Sequence, residues 1–220
     1  ETLKFVNRSM QQSVPPSHPP LSNQSEKANT ILLGALEVFA TQGYAAASMD
    51  RIAKTAGVSK PTLYTYFKNK EGLFIALIQQ MTQISNQMLS SLPMTPETQV
   101  PPDDVLRNLA TSVLEEFSKN QMLLTLMRMI IGESGRFPEL SQTFVRDIQK
   151  PLLKRLVAYI ASQPQLNFSD PLIAAQIFVG SLVHYTIIQH VMDGGEILPM
   201  DRDRIVNGLV QVLMAAGKSM

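Results

Sequence analysis

Six side chains in this 220-residue chain have types and spacings suited to chemistry on a polyanion: Ser48, Lys60, Thr62, Tyr64, Tyr66 and Lys70. Reading base edges needs side chains near the start of a helix, and holding a duplex needs donors on both flanks aimed at phosphates. Lys60 can donate to guanine O6 or N7. The Thr62 hydroxyl can donate or accept, and its methyl can pack on a thymine. Tyr64 and Tyr66 carry long rigid arms ending in a hydroxyl, suited to a phosphate or a thymine methyl. Ser48, at the start of a helix, offers a hydroxyl and free backbone N–H groups to a phosphate. Lys68 and Lys70 extend a positive strip.

The elements that must position them are read from caps and apolar spacing. Ser48 caps a helix of about eight residues whose inward face is Met49, Ile52 and Ala53. Gly57 marks a turn at positive φ, and Val58 packs inward. Ser59 caps the next helix with Pro61 in its first turn, where a missing N–H costs nothing, and Leu63 and Phe67 face the core. Short helix, tight turn, short helix is the build of a helix-turn-helix. A preceding helix over 25–42 carries Ile31, Leu32, Ala35, Leu36, Val38 and Phe39 and stops at Gly43. Asn69 caps a fourth helix over 70–91, whose Leu73, Leu77, Met81 and Ile84 join this unit to the rest.

Residues 1–25, rich in Pro, Ser, Gln and Asn, are expected to be a disordered arm. Residues 26–72 form the helix-turn-helix domain and 73–220 a larger helical domain. Pro93, Pro96, Pro101 and Pro102 bracket a loop, after which helices are predicted at 103–118, 121–133, 138–162, 170–192 and 202–216. Pro151 should kink or divide the third of these. No strictly alternating run suggests a strand, so the fold class is all-α. Charge follows the same division: residues 26–70 hold Lys27, Arg51, Lys54, Lys60, Lys68 and Lys70 against Glu26, Glu37 and Asp50, whereas 71–220 hold 11 basic and 14 acidic side chains. The basic unit is the one suited to approach a polyanion.

One short reading helix makes too few contacts for selective binding, so two copies should be held one DNA turn apart. The candidate dimer surface is the last two long helices, with Ala174, Ile177, Phe178, Ser181, Leu182 and Tyr185 on one and Ile205, Leu209, Val212, Leu213 and Ala216 on the other. The plainer reading is that these stripes are subunit core. Large apolar residues spread over the middle helices suggest an effector pocket: Phe117, Met127, Ile131, Phe144, Phe178 and Tyr185, with Arg128 and His184 as polar groups that could orient a ligand. Twelve Met residues favour a deformable interior.

Other functions find little support. There is no HExxH, no nucleotide-binding glycine loop and no nucleophile elbow, so catalysis is not expected. No cofactor is implied. With no Cys, and with His184 and His190 six apart on different helix faces, neither a disulfide scaffold nor a metal site is expected. No run of about 18 apolar residues suggests a membrane span, so a soluble, cytoplasmic protein is the expectation. The alternative to a DNA-binding regulator is a helical interaction or scaffold protein without specific DNA binding.

Leu33 to Leu77 closely resembles the N-terminal domain of the TetR family of bacterial transcriptional regulators. The shared marks are Phe39-Ala40-x-x-Gly43-Tyr44, then Ser48-Met-x-x-Ile-Ala-x-x-Ala-Gly-Val-Ser59, then Thr62-Leu-Tyr-x-Tyr-Phe-x-x-Lys70-Glu-x-Leu73. The segment from Arg128 through Gly132-Glu133, Phe137-Pro-Glu139-Leu and Phe144 is similar to the C-terminal domain of AcrR- and AefR-like members. The resemblance implies an all-helical homodimer that binds a palindromic operator in double-stranded DNA and usually represses transcription. It implies Ser48 and Lys70 on phosphates, Lys60, Thr62 and Tyr64 at or near bases, and Tyr66 bridging to the backbone. It also implies a dimer interface of four helices and a small, mostly hydrophobic effector. Two positions depart from the usual pattern, Pro61 and Thr65.

Overall fold

The computed structural model describes residues 21–90, 92 and 100–218. Among these are ten α-helices: α1 Leu21–Ala46, α2 Met49–Thr55, α3 Lys60–Tyr66, α4 Lys70–Leu89, α5 Pro102–Lys119, α6 Gln121–Glu133, α7 Pro138–Phe144, α8 Lys150–Ser162, α9 Pro171–Thr186 and α10 Arg202–Lys218. The fold is all-α, with a helix-turn-helix bundle at one end and a larger helical bundle beyond it. Residues 1–20 of the expected arm and the Pro93 and Pro96 part of the expected loop lie outside the described residues. Leu21 to Ser25 are helical, so α1 begins before the expected boundary.

The starts of the reading helices are set by side chains at their caps. Ser48 Oγ accepts from Arg51 N at 3.3 Å, Ser59 Oγ from Thr62 N at 3.2 Å, and Asn69 Oδ1 from Gly72 N at 2.8 Å. Each satisfies one of the orphan N–H groups at a helix start. Gly57 takes φ 64 in the turn between α2 and α3. Gly34 sits where α1 crosses α2: a Cβ there would lie 2.8 Å from Ala56 Cβ and 2.9 Å from its Cα.

The interior divides into two apolar clusters, but not at the boundary the sequence suggests. One joins α1–α4 to α6 and α7, bringing Ile31, Phe39, Ile52, Leu63 and Phe74 together with Leu126, Met129, Ile130 and Leu140. The other lies among α5, α8, α9 and α10, around Leu106, Leu114, Ile160, Phe178, Val206 and Val210. The helix-turn-helix unit therefore shares its core with α6, and a 7-residue helix such as α3 is stable through that packing rather than alone.

The helical run expected over 138–162 is interrupted just before Pro151. Val145–Gln149 forms a π-helical turn between α7 and α8, and Pro151 follows at the first turn of α8. The wider turn absorbs the loss of the proline N–H just where an α-helix would need it. A second π turn, Ile187–Val191, extends α9. Pro171–Val191 is 21 residues with mean hydropathy 1.6, long and apolar enough by composition to cross a bilayer, yet only 33% of its most apolar window is buried. Its outer side is a large apolar face that needs a cover.

Candidate DNA-reading face and apolar cavity

The reading face is built on α3. Leu63 is fully buried and anchors the helix, which turns Lys60, Tyr64 and Thr65 to solvent, while Thr62 and Tyr66 are half-buried. Ser59 and Thr62 hydroxyls lie 2.7 Å apart, so the Thr62 side chain is held at the helix start with its methyl free. Tyr64 is 44% exposed, whereas Tyr66 rests on the core beside Phe67, ring centroids 6.4 Å apart. Lys60 is paired with Asp50 of α2 at 2.6 Å, both side chains more than half exposed. The hydrogen bond to Asp50 and its charge push the Lys60 ammonium above its ordinary value. Nothing local in the sequence signals this pair, because its members are ten residues apart on different helices. Arg51 and Lys54, both exposed on α2, line a polar trench with Ser48 and Thr41.

Lys70 is differently engaged from its expected phosphate role. Its ammonium donates to the carbonyl oxygens of Tyr44 at 2.8 Å and Ala45 at 3.0 Å and lies 4.7 Å from the centre of the Tyr44 ring. It thereby neutralises carbonyls at the end of α1, a favourable place for a cation. At the same spot Gly43 takes φ 77, a conformation that suits a residue without Cβ, and breaks the helical path. The next N–H, that of Tyr44, donates to Glu133 Oε1 at the end of α6 at 2.9 Å. Tyr44 also packs edge-on to Phe137 at 5.1 Å, and burial with the nearby Glu71 charge pushes its phenol up to about 12. This junction physically joins the reading unit to the larger domain.

The cavity lies between α4, α5, α6, α8, α9 and the first π turn, with a volume of about 90 Å³. Phe117, Met127, Phe144 and Phe178 line it, as the sequence suggested, with Met81, Met88, Leu152, Leu182 and Val183 among their neighbours. Four other expected residues do not. Arg128 donates to the Val191 and His190 carbonyls at 3.0 and 2.6 Å, and Ile131 is 47% exposed. Arg128 is rotated about 100° from Met127 and so leaves the cavity side, while Ile131, four residues on and on the same side of α6, is not among the lining residues. His184 is exposed on the outside of α9, two residues and about 200° of helix from Leu182. Tyr185 lies in a separate small cleft with His190, Asp201 and Arg202. Burial lowers the His190 pKa, and raises that of the Tyr185 phenol with help from Asp201.

Three lining groups escaped the sequence reading: Ser85, Gln149 and Thr186 are the polar side chains on this otherwise apolar wall. Thr186 had a legible signal, since it continues the four-residue spacing of Phe178 and Leu182.

The expected dimer stripe is split by burial. Ala174, Leu182, Leu209 and Leu213 point into the subunit, because α9 and α10 use one face for their own core. Ile177 is 50% and Val212 62% exposed, and Ser181 and Ile205 are half-buried. Ile173, at 54%, joins this outer stripe one turn from Ile177.

Comparison with known proteins covers both regions. Residues 31–77 match the family described as bacterial regulatory proteins, tetR family, and residues 104–217 match the AefR-like transcriptional repressor, C-terminal domain. The HTH-type transcriptional activator FasR of Mycolicibacterium smegmatis is 47% identical over 57 residues, 26% of each chain. The flavonoid-responsive regulator FrrA superposes with TM-score 0.65 at 29% identity, over 87% of this chain and 97% of FrrA. FadR of Bacillus subtilis, solved in complex with stearoyl-CoA, gives TM-score 0.66 at 23% identity, over 85% of this chain and 97% of that one.

Proposed function

The chain belongs to the TetR family of bacterial regulators, with an AefR-like C-terminal domain, and from that premise we propose that it is a cytoplasmic, homodimeric repressor released from a palindromic operator by a small apolar ligand. The observation that carries the reading is α3: a capped helix, pinned by buried Leu63, that presents Lys60, Thr62 and Tyr64 outward. Those three groups serve as base readers, with Ser48 and the α2 cations on the flanking phosphates. Lys70, held on the α1 carbonyls, reaches a phosphate only with its remaining N–H or by letting those carbonyls go.

The dimer is supported by the outer apolar stripe of Ile173, Ile177 and Val212, which a second copy would cover with the same stripe of its own. The reading requires that such a pairing set two α3 helices at half-sites about 34–36 Å apart. Ligand control is supported by the cavity and by the Glu133–Tyr44 link between it and the reading unit. The ligand must bind the released dimer more tightly than the bound one, and a tenfold loss of operator affinity requires about 1.4 kcal/mol of such preference. Relatives of this fold answer to different molecules, a flavonoid for FrrA and stearoyl-CoA held by FadR. The cavity's own wall must therefore decide what this chain takes.

Selection of bound sequences from a random duplex library at two salt concentrations tests the reading. Enrichment of one palindrome, weakening steeply as salt rises, is expected. Sequence-blind binding by ligand-stripped protein would overturn it.

A further inference from the structure

Resting on the reading of the cavity as the effector site, we propose that its ligand is an uncharged molecule: an apolar body carrying a hydroxyl or carbonyl group that is anchored by Thr186, with Ser85 and Gln149 as further partners. The wall contains no Asp, Glu, Lys, Arg or His. A carboxylate, a phosphate or a quaternary ammonium entering it would lose its hydration without meeting an opposite charge, which is strongly unfavourable. Arg155, which precedes the lining residue Leu156, donates to the Leu89 carbonyl at 2.8 Å and is not part of the wall.

Thr186 is the informative residue. It is 4% exposed, the one polar residue among the buried side chains described. Six helical hydroxyls among the described residues bond back to the carbonyl four residues earlier, those of Thr30, Thr41, Thr65, Thr82, Thr143 and Ser181. Among the described residues the Thr186 hydroxyl has no such bond, and it lines the cavity. A hydroxyl that faces the cavity without a protein partner favours a guest that can pair it over one that cannot. The two π turns fall at the same places: Gln149 closes the first, and Thr186 immediately precedes the second. Such turns commonly mark functional sites because they shift the side-chain register of a helix. Ser85, on α4, faces them from the helix that joins the cavity to the reading unit.

The test uses the purified full chain and the neutral dye Nile red as a fluorescent cavity reporter. Displacement is measured at pH 7.5 with 1-decanol, decanoate and decyltrimethylammonium, which share a ten-carbon chain and differ in charge, the two ions below their micelle thresholds and the alcohol below its solubility limit. Displacement by 1-decanol at tenfold or more lower concentration than by either ion is expected. Thr186→Val, nearly isosteric, should weaken 1-decanol three- to tenfold, and Gln149→Leu should weaken it less. Equal or better displacement by decanoate or by the ammonium would overturn the proposal while leaving the cavity reading in place. Unchanged 1-decanol affinity in a folded Thr186→Val protein would overturn the anchoring role. No dye uptake at all would overturn the cavity reading and this proposal together.

Discussion

The reading face and the cavity are opposites in how the chain makes them. The face comes from one stretch, Ser48 to Lys70, in which caps at Ser48 and Ser59 and the buried Leu63 place the helices locally, Lys70 alone being held by the distant carbonyls of Tyr44 and Ala45. The cavity takes its wall from Met81 to Thr186, with every lining residue placed by packing between distant helices. A surface built locally can change its side chains without changing its shape. A hollow built by packing has no shape apart from the helices around it. Substitutions should therefore separate the two regions: on the face they cost contacts, and in the interior they cost stability.

The hardest test of that separation is Gly34→Val. Its Cβ would meet Ala56 backbone atoms at 2.9 Å, which cannot swing aside as a side chain can, so α1 and α2 must part. Overpacking of this kind costs about 3 kcal/mol. At roughly 2–4 °C of melting temperature per kcal/mol for a chain of this size, a fall near 10 °C is expected. Operator binding should be lost, while Nile red still enters the cavity. Loss of dye uptake as well would mean that the core shared by α1 and α6 transmits the damage, and the two regions are one.

On the face, Tyr64→Ala and Thr62→Ala should leave melting unchanged, within about 0.5 kcal/mol, because neither side chain is buried. Each should reduce affinity for the selected palindrome by about 1–3 kcal/mol at the base it reads. Electrophoretic titration against the palindrome and a scrambled duplex checks this. Equal loss on both duplexes would reduce these residues to general adhesion.

The same contrast explains what was legible in the sequence. Helix starts at Ser48, Ser59 and Asn69 were readable because a cap is a local bond to a residue three positions on. Leu63 was readable as core from its spacing, and the apolar lining residues Phe117, Met127, Phe144 and Phe178 from size and position. Arg128 and His184 misled because a polar residue in an apolar run marks a helix's other face as readily as a pocket. Arg128 binds the carbonyls of the second π turn, and His184 looks outward. The Asp50–Lys60 and Glu133–Tyr44 contacts had no signal at all, since neither is periodic and the second spans 89 positions. The π turn before Pro151 was visible only as a proline problem, not as its solution.

Glu133→Ala would sharpen the comparison at a polar contact between the regions. It removes the acceptor for the Tyr44 N–H, a loss of about 1–3 kcal/mol if that group stays buried. Both the operator and 1-decanol should still bind. The ligand-induced fall in operator affinity should shrink severalfold, since the end of α6 no longer holds the break at Gly43. Fluorescence anisotropy of a labelled operator with and without 1-decanol measures it. An unchanged ligand effect would place the coupling elsewhere, with α4 the remaining covalent route.

The smallest effect should come from Asp50→Asn. Lys60 is held by Asp50 at 2.6 Å, and any approach of Lys60 to DNA must first pull it from that carboxylate. Asp50 is also a negative charge in the trench that holds Ser48 and Arg51, the groups proposed to meet phosphates. Its replacement frees the lysine and removes that repulsion. Operator affinity should therefore rise a fewfold at low salt, and the gain should fade once ionic strength passes about 0.1 M, where the screening length falls to about 10 Å. Melting should barely move, since a pair this exposed contributes little to stability. Dye uptake should not move at all, because neither residue touches the cavity wall. Lys60→Gln in the same background should erase the gain if it comes from the freed lysine. A gain that survives Lys60→Gln would assign the effect to the lost repulsion alone, and would make Lys60 a partner of Asp50 rather than a reader of DNA.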